Sequence, residues 1–410
     1  MHCLKYISVV LKAGVLTLLL LPAAIMPAQA EPNRSTVGIT AVPFLQIHPS
    51  AEVNMTASAW TALPASHIAA FHVNPAQLGN FARSRNLSFQ FAPGHIDWLP
   101  RFASNFIMKN RSLAAGYNLQ NQFPSIPISI GIGYMHTFLD RGVQHYFDER
   151  GNLLDSFESF EQYDAYAVGL HLDMPVEIAL GYTLKQIESQ PTKDSHAFPT
   201  AHDVGLQLSL PLTMNDFATR VSLGYTLSNL GDGVDYNGLD PLPRKQKLGY
   251  ALSVAYQSSG SGNSVPWIAL DVKAELRDML VEPGDEIQQW EYQSLPGSLS
   301  FRDHLLPMRS DDYSVTIYRG LRLALLETLE IGMGLYAGRG WPEPNRTFGL
   351  TINSGQLTKS LASYHQIEWL DNISRYFELS YTWSGLDSFD DDHPLDETRY
   401  HSLTFTIRGL

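Results

Sequence analysis

Residues 221–228 read Val-Ser-Leu-Gly-Tyr-Thr-Leu-Ser, and how that octet divides decides the fold. Successive side chains of an extended chain point to opposite faces. Val221, Leu223, Tyr225 and Leu227 therefore share one face, and Ser222, Gly224, Thr226 and Ser228 share the other. In a soluble sandwich the face turned from the apolar one meets water and is charged. Here it is small and polar. Such a strand suits a barrel with a lipid-facing outside and a polar inside.

The same division recurs along the chain. Ile128, Ile130, Ile132 and Tyr134 enclose Ser129, Gly131 and Gly133, while Tyr166, Val168, Leu170 and Leu172 alternate with Ala167, Gly169 and His171. Phe377, Leu379, Tyr381 and Trp383 oppose Glu378, Ser380, Thr382 and Ser384, and Leu403, Phe405 and Ile407 oppose Thr404, Thr406 and Arg408. Fourteen strands are expected, near 86–92, 112–119, 126–138, 162–174, 176–188, 202–211, 217–228, 248–258, 265–275, 312–325, 328–338, 345–353, 375–385 and 400–409. An even number is what a bacterial barrel carries.

The connections at 93–111, 139–161, 189–201, 229–247, 276–311 and 386–399 are mostly long and polar, and those at 120–125, 175, 212–216, 259–264 and 326–327 are short. Outer loops and periplasmic turns alternate in this way. Residues 361–370 could add a fifteenth strand. That would make the total odd and put the acidic 386–399 loop on the wrong side, so 354–374 is read as an enlarged turn. The expected fold is an all-β transmembrane antiparallel β-barrel of about 14 strands over residues 86–410.

Composition agrees. Asp, Glu, Lys and Arg make up only 17% of the 410 residues, against roughly 25% in a typical soluble protein. Beyond the N-terminus there is no apolar run long enough for a membrane helix. A net charge of −13 disfavours nucleic acid as a partner, because phosphate binding needs clustered Lys and Arg. Residues 1–30 have the form of a secretory signal: Lys5 and Lys12, an apolar core over 13–21, and Pro27-Ala28-Gln29-Ala30 with cleavage expected after Ala30. The only cysteine, Cys3, lies inside that signal, so the exported chain has no disulfide, thiol nucleophile or acyl-bearing cysteine. The location implied is the outer membrane of a Gram-negative cell.

Three passages bring a family into view. Ala70-Phe71-His72-Val73-Asn74-Pro75-Ala76-Gln77-Leu78 resembles the Asn-Pro-Ala-x-Leu segment at the inner hatch of FadL-like outer-membrane barrels and of their PorV/PorQ branch. Leu227-Ser228-Asn229-Leu230-Gly231, then Asp240-Pro241-Leu242-Pro243 and Leu248-Gly249, is similar to the Asn-Leu-Gly and Pro-Leu-Pro passage of PorV proteins, as is Ala269-Leu270-Asp271-Val272-Lys273. Residues 394–405 are similar to that branch's closing strand. The resemblance implies that residues 31–85 form a hatch segment plugging the lumen. The chain departs from the family at 55–61, Met-Thr-Ala-Ser-Ala-Trp-Thr, where relatives are Gly-rich, and at Gln77. Fewer glycines leave fewer positions free for positive φ, so a less sharply folded hatch is expected.

Asn74 and Pro75 have a physical use apart from kinship, since Asn bonds its own backbone and Pro fixes φ. Asn74, Pro75, Ala76 and Leu78 are thus candidate binding residues whose other reading is a fixed structural turn. The 276–311 connection mixes charges with Trp290, Tyr292 and Phe301, which suits contact with a protein partner or a simple cap on the barrel. Asp387, Asp390, Asp391, Asp392, Asp396 and Glu397 offer oxygen ligands for calcium, against the plainer reading of a solvated loop. Fourteen scattered histidines include His67 and His72, five apart, with no His-Glu-x-x-His, so no metal is expected. No catalytic motif and no cofactor site is read, and Gly-x-Ser-x-Gly is absent.

The resemblance implies a secretion role of the PorV type. It would receive exported cargo proteins through their C-terminal domain and pass them to other components of type IX secretion or surface attachment. The alternative is a FadL-like transporter of hydrophobic small molecules, although the inward residues named above show little sign of a greasy tunnel. Besides either partner, the barrel meets outer-membrane lipid.

Overall fold

In the computed structural model every alternating segment is an extended strand. Residues 40–408 are described, apart from 84–86, 102–105, 258–265, 284–289, 306–313, 359–368, 370–375, 389–392 and single positions at 66, 237, 340 and 356. The signal over 1–30 and its cleavage after Ala30 lie outside the described residues.

The strands are β1 Leu87–Trp98, β2 Phe106–Asn118, β3 Ile128–Phe147, β4 Leu153–Leu172, β5 Glu177–Thr192, β6 Thr200–Met214 and β7 Phe217–Leu230. They continue as β8 Lys245–Gln257, β9 Pro266–Met279, β10 Thr316–Leu325, β11 Leu329–Gly338, β12 Trp341–Asn353, β13 Phe377–Ser388 and β14 Thr398–Arg408. Each pairs antiparallel with its neighbours in chain order, and β1 pairs with β14 from Ser88↔Arg408 to Asp97↔Arg399, which closes the ring. The fourteen expected strands are these fourteen. A fifteenth piece, Ser195–Ala197, adds to β5 outside the ring. Closure leaves the ring without an open sheet edge, as a span through lipid requires.

The faces fall as the alternation demands. Ile132 is 58% exposed and Leu223 47%, on the outside, while Ser222 and Thr226 are at 1% and 0%, on the inside. The exterior row of Ile, Leu, Val, Phe and Tyr is the lipid-facing belt of an outer-membrane barrel. No described helix is long and apolar enough to cross a membrane.

One expectation about the connections changes. At the end with the longer connections the strands run on past the apolar belt. The 139–161 connection is mostly ladder, with pairs from Val143↔Glu158 to Phe147↔Leu153 beyond a bulge at Asp140. The bulge breaks the period of two, and Val143, Tyr146 and Phe147 beyond it are exposed without keeping the alternation, which hides the strand from an apolar-alternation reading. At the opposite end β12 pairs directly with β13, from Asn345↔Ser388 to Asn353↔Ser380, so nothing stands between them in the wall. The segment 361–370, apart from Trp369, lies outside the described residues.

Residues 40–83 carry short helical turns at Pro43–Gln46, Ala51–Asn54, Ile68–His72 and Gln77–Arg83. They are nearly all buried and touch inward-facing residues of strand after strand.

Candidate functional site

Irregular backbone buried inside a barrel needs close access to the wall and partners for its polar groups. The wall supplies both. Glycines meet in register across five strands, as Gly116↔Gly131, Gly131↔Gly169, Gly169↔Gly181 and Gly181↔Gly205. A Cβ on Gly181 or Gly205 would collide with Pro75 or Asn74, and one on Gly131 or Gly169 with Leu78 or Gly79. Round the rest of the ring, Gly224 is closed by Thr61, Gly320 by Thr56 and Gly349 by Met55. These glycines form a belt into which the backbone of residues 55–82 presses.

Asn74 sits at the centre of this contact. Its Oδ1 accepts from the Ala76 amide at 3.0 Å, and its Nδ2 donates to the Thr61 carbonyl at 2.8 Å and to Leu206 in the wall at 3.2 Å. Ala76 and Leu78 are fully buried. Gln77 extends the seam, donating to the Trp60 and Leu63 carbonyls at 2.9 and 2.7 Å.

The glycine-poor stretch does fold sharply, against expectation. Ala57 and Ser58 both take positive φ, 53° and 59°. A turn of this kind costs about 1–2 kcal/mol per non-Gly residue, and three tethers hold it. The Ala57 amide donates to Thr347 Oγ1 at 2.8 Å, the Ser58 amide to the Val53 carbonyl at 3.0 Å, and Arg277 to the Ser58 carbonyl at 2.7 Å.

The inside of β5 to β11 is also more charged than the small-residue strands suggest. Lys185 pairs with Asp203 at 2.7 Å and donates to Asn229. Lys247 donates to the Val73 carbonyl at 3.0 Å, Lys273 to Thr56 at 2.8 Å with its ammonium 3.4 Å from the centre of the Trp60 ring, and Arg277 to Glu275 at 2.6 Å. Glu275 accepts the Thr61 amide at 3.0 Å. The signal was present in the sequence: Asp271, Lys273, Glu275 and Arg277 fall on the inward positions of β9, and Lys245 and Lys247 on those of β8.

His48 and His72 meet edge to face at 5.3 Å within the inner segment, and His72 bonds Tyr163 at 3.0 Å. Burial, with Arg277 beside His48 and Lys185 beside His72, holds both imidazoles well below the ordinary histidine value. Burial also lowers His67, to about 3; it packs on Trp60 rather than joining His72. Among the described residues no cluster of three His, Cys, Asp or Glu could hold a metal.

Above the inner segment, at the strand ends that carry the longer connections, lies a cavity of about 590 Å³. Its walls are Phe44, Ile47, Trp98, Leu99, Phe106 and Leu139, and Lys245, Arg277 and Arg339 also border it. The greasy pocket missing from the alternation is therefore made by strand ends and the Pro43–Gln46 turn together. Lys245 is 6% exposed.

The loop aromatics point elsewhere. Trp290 and Tyr292 lie on a short hairpin, Trp290–Tyr292 against Val281–Pro283, that folds onto the neighbouring connection. Trp290 donates to the Leu239 carbonyl at 2.6 Å, Tyr292 accepts the Leu242 amide at 2.9 Å, and Arg244 lies 3.5 Å over the Tyr292 ring. Further on, Leu299 joins Leu248, Tyr250, Leu276 and Ile317 on the outside of the wall. The loop thus docks on its own barrel. The Phe301 side chain lies outside the described residues.

The motif residues at 229–243 are stitches. Asn229, at φ 58°, donates to the Pro243 carbonyl at 2.9 Å, and Ala41 of the inner segment donates to Pro241 at 2.8 Å. Of the acidic stretch, Asp390, Asp391 and Asp392 lie outside the described residues. Asp396 and Glu397 face Arg101 at 2.7 and 3.1 Å, and Asp387 lies between Arg346 and Arg399.

No family model matches the chain, and no curated protein does. Solved structures match at low identity. The toluene transporter TodX of Pseudomonas putida is 9% identical, with 85% of this chain and 94% of that one covered at a TM-score of 0.38. The monoaromatic hydrocarbon channel CymD is 7% identical over 88% and 96%, at 0.41. Omp33 of Acinetobacter baumannii is 8% identical over 80% and 99%, at 0.33. At that distance they do not say what this chain carries. Its closed ring, apolar exterior and polar interior are those of an outer-membrane barrel.

Proposed function

We propose that the barrel admits hydrophobic small molecules, in the manner of FadL-like transporters, with residues 40–83 as the plug. The observation that carries this reading is the 590 Å³ cavity, whose apolar wall is formed jointly by strand ends and by Phe44 and Ile47 of the plug. Ligand pockets of this size, mostly apolar with a few polar groups, fix a ligand's orientation through those groups. A molecule seated there lies directly against the segment that must shift for it to pass. Lys245 and Arg277 on the inward face favour an acid group at one end of the molecule. A plug tied by many separate hydrogen bonds moves in steps, and the Pro43–Gln46 turn under the ligand is the first to feel its occupancy.

Trp98 in the wall reports occupancy by its fluorescence. A hydrophobic ligand with a quenching group should dim it in a saturable way, and Leu139→Arg should weaken that binding at least tenfold while heat-dependent gel mobility is kept. Equal quenching in the variant would refute the site. The cargo-receiving role of the PorV type has no comparable support, since Trp290 and Tyr292 are spent on the barrel's own connection. Its test is direct: in a strain lacking the gene, exported proteins sharing one C-terminal domain would accumulate in the periplasm.

A further inference from the structure

Outward-facing cations on a barrel wall need a partner, because the hydrocarbon beside them offers none. Arg346 and Arg399 share Asp387, and Lys193 pairs with Asp155. Lys109 and Arg111 differ. They sit two residues apart on the outward face of β2, both exposed, and no described side chain or backbone group bonds to either.

Their height on the wall is fixed by register. Phe91, Leu113, Tyr134 and Tyr166 form one cross-strand row on β1 to β4, the aromatic-rich edge of the apolar belt. One pair further toward the longer connections the row is Pro93, Arg111, His136 and Asp164, and the next is His95, Lys109, Phe138 and Gln162. Aromatic girdles mark the boundary between hydrocarbon and headgroups. Arg111 and Lys109 therefore stand one and two steps into the headgroup layer.

We propose that Lys109 and Arg111 bind the phosphate of a lipid headgroup in the leaflet at the longer-connection end. This inference is independent of the transport reading. The nearby acids are already engaged: Asp97 with His95 at 2.9 Å, Asp164 with His136 at 3.0 Å and Tyr134 at 2.6 Å, and Asp140, one row beyond Lys109 on β3, with the Gly142 amide at 2.8 Å. His401, across β1 from His95, bonds Tyr381 at 2.8 Å. That leaves two free positive charges roughly 7 Å apart along the strand. A phosphate between them accepts from the Arg111 guanidinium on one side and the Lys109 ammonium on the other. Its acyl chains then lie along Phe91, Leu113 and Ile132 below. A soluble acidic protein is disfavoured because the cations are set into the wall at the lipid boundary, not on a loop.

The test uses the full exported chain in detergent, incubated with a bis-phosphorylated lipid A and with the same glycolipid freed of phosphate, and read by native mass spectrometry. The wild type should retain the phosphorylated lipid at least fivefold more than its dephosphorylated form. Lys109→Gln with Arg111→Gln should abolish that preference, Arg111→Lys should keep most of it, and Lys193→Gln should leave it intact. Heat-dependent gel mobility confirms that each variant is folded. Equal retention of both lipids by the wild type, or an unchanged preference in the double variant, overturns the proposal. So does displacement of the lipid by millimolar inorganic phosphate, which would make the site one for free anions.

Discussion

Replacing Asn74 by Ala tests whether the inner segment is held by the bonds described. The side chain is fully buried and makes three hydrogen bonds. Its loss leaves the Ala76 amide without a partner, whereas the Leu206 carbonyl keeps its place in the strand ladder and the Thr61 carbonyl keeps Gln207 Nε2 at 2.8 Å. One buried group left unsatisfied costs about 1–3 kcal/mol. None of this falls on the ring of strands. The cost should therefore appear as easier local opening, with hydrogen-exchange protection of amides at 70–82 falling roughly 5- to 160-fold. Amides of β3 and β4 should keep their protection. Asn74→Asp should be worse than Ala, since it keeps the Ala76 bond but sets a carboxylate against two carbonyl oxygens. Protection within threefold of wild type, or an equal loss in plug and wall, would refute the reasoning.

Other outcomes follow from the same contacts. Gly169→Val places side-chain atoms where Leu78 and Gly79 now lie. It should expose residues 70–83 to protease while leaving heat-dependent gel mobility in place. Lys185→Met leaves Asp203 buried without its cation. It should cost about 3–5 kcal/mol, read as a lower unfolding temperature and mostly restored by adding Asp203→Asn. The docked state holds His48 and His72 neutral, so the undocked state binds more protons below the free histidine value. Docking should be complete above about pH 6.5 and weaken as pH falls from there, by at most about 1.4 kcal/mol per pH unit for each ring. Exchange protection of residues 44–72 measured from pH 8 to pH 4 checks the sign, and better protection on acidification would reverse it.

The wall was legible because lipid on one side and tight packing on the other impose a period of two that survives in a single sequence. Val221 to Ser228 alone shows it. The strand ends were not legible, since the bulge at Asp140 breaks the period of two across residues 140–147 while the ladder continues. The Asn74 turn was readable from local chemistry. What it docks on was not: Gly116, Gly131, Gly169, Gly181 and Gly205 look like ordinary small inward residues until register brings them side by side. Trp290 and Tyr292 left two readings open for the opposite reason. Exposed-looking aromatics in a long loop say nothing of whether the chain's own neighbouring loop will cover them, as Leu239 and Leu242 do here.

The central claim is a lipid-facing wall around a lumen filled by residues 40–83. Cys3 is the only cysteine, so once it is replaced by Ser, single cysteines elsewhere can each carry a spin label in an otherwise thiol-free chain. The deciding measurement compares labels at Ile132→Cys and at Ser58→Cys in bilayers, using oxygen and a water-soluble nickel complex as relaxing agents. The account predicts that the label at 132 is relaxed by oxygen and not by nickel, and that the label at 58, a position 5% exposed, is reached by neither. Strong nickel relaxation at 58 would mean an open, watered lumen and would contradict it.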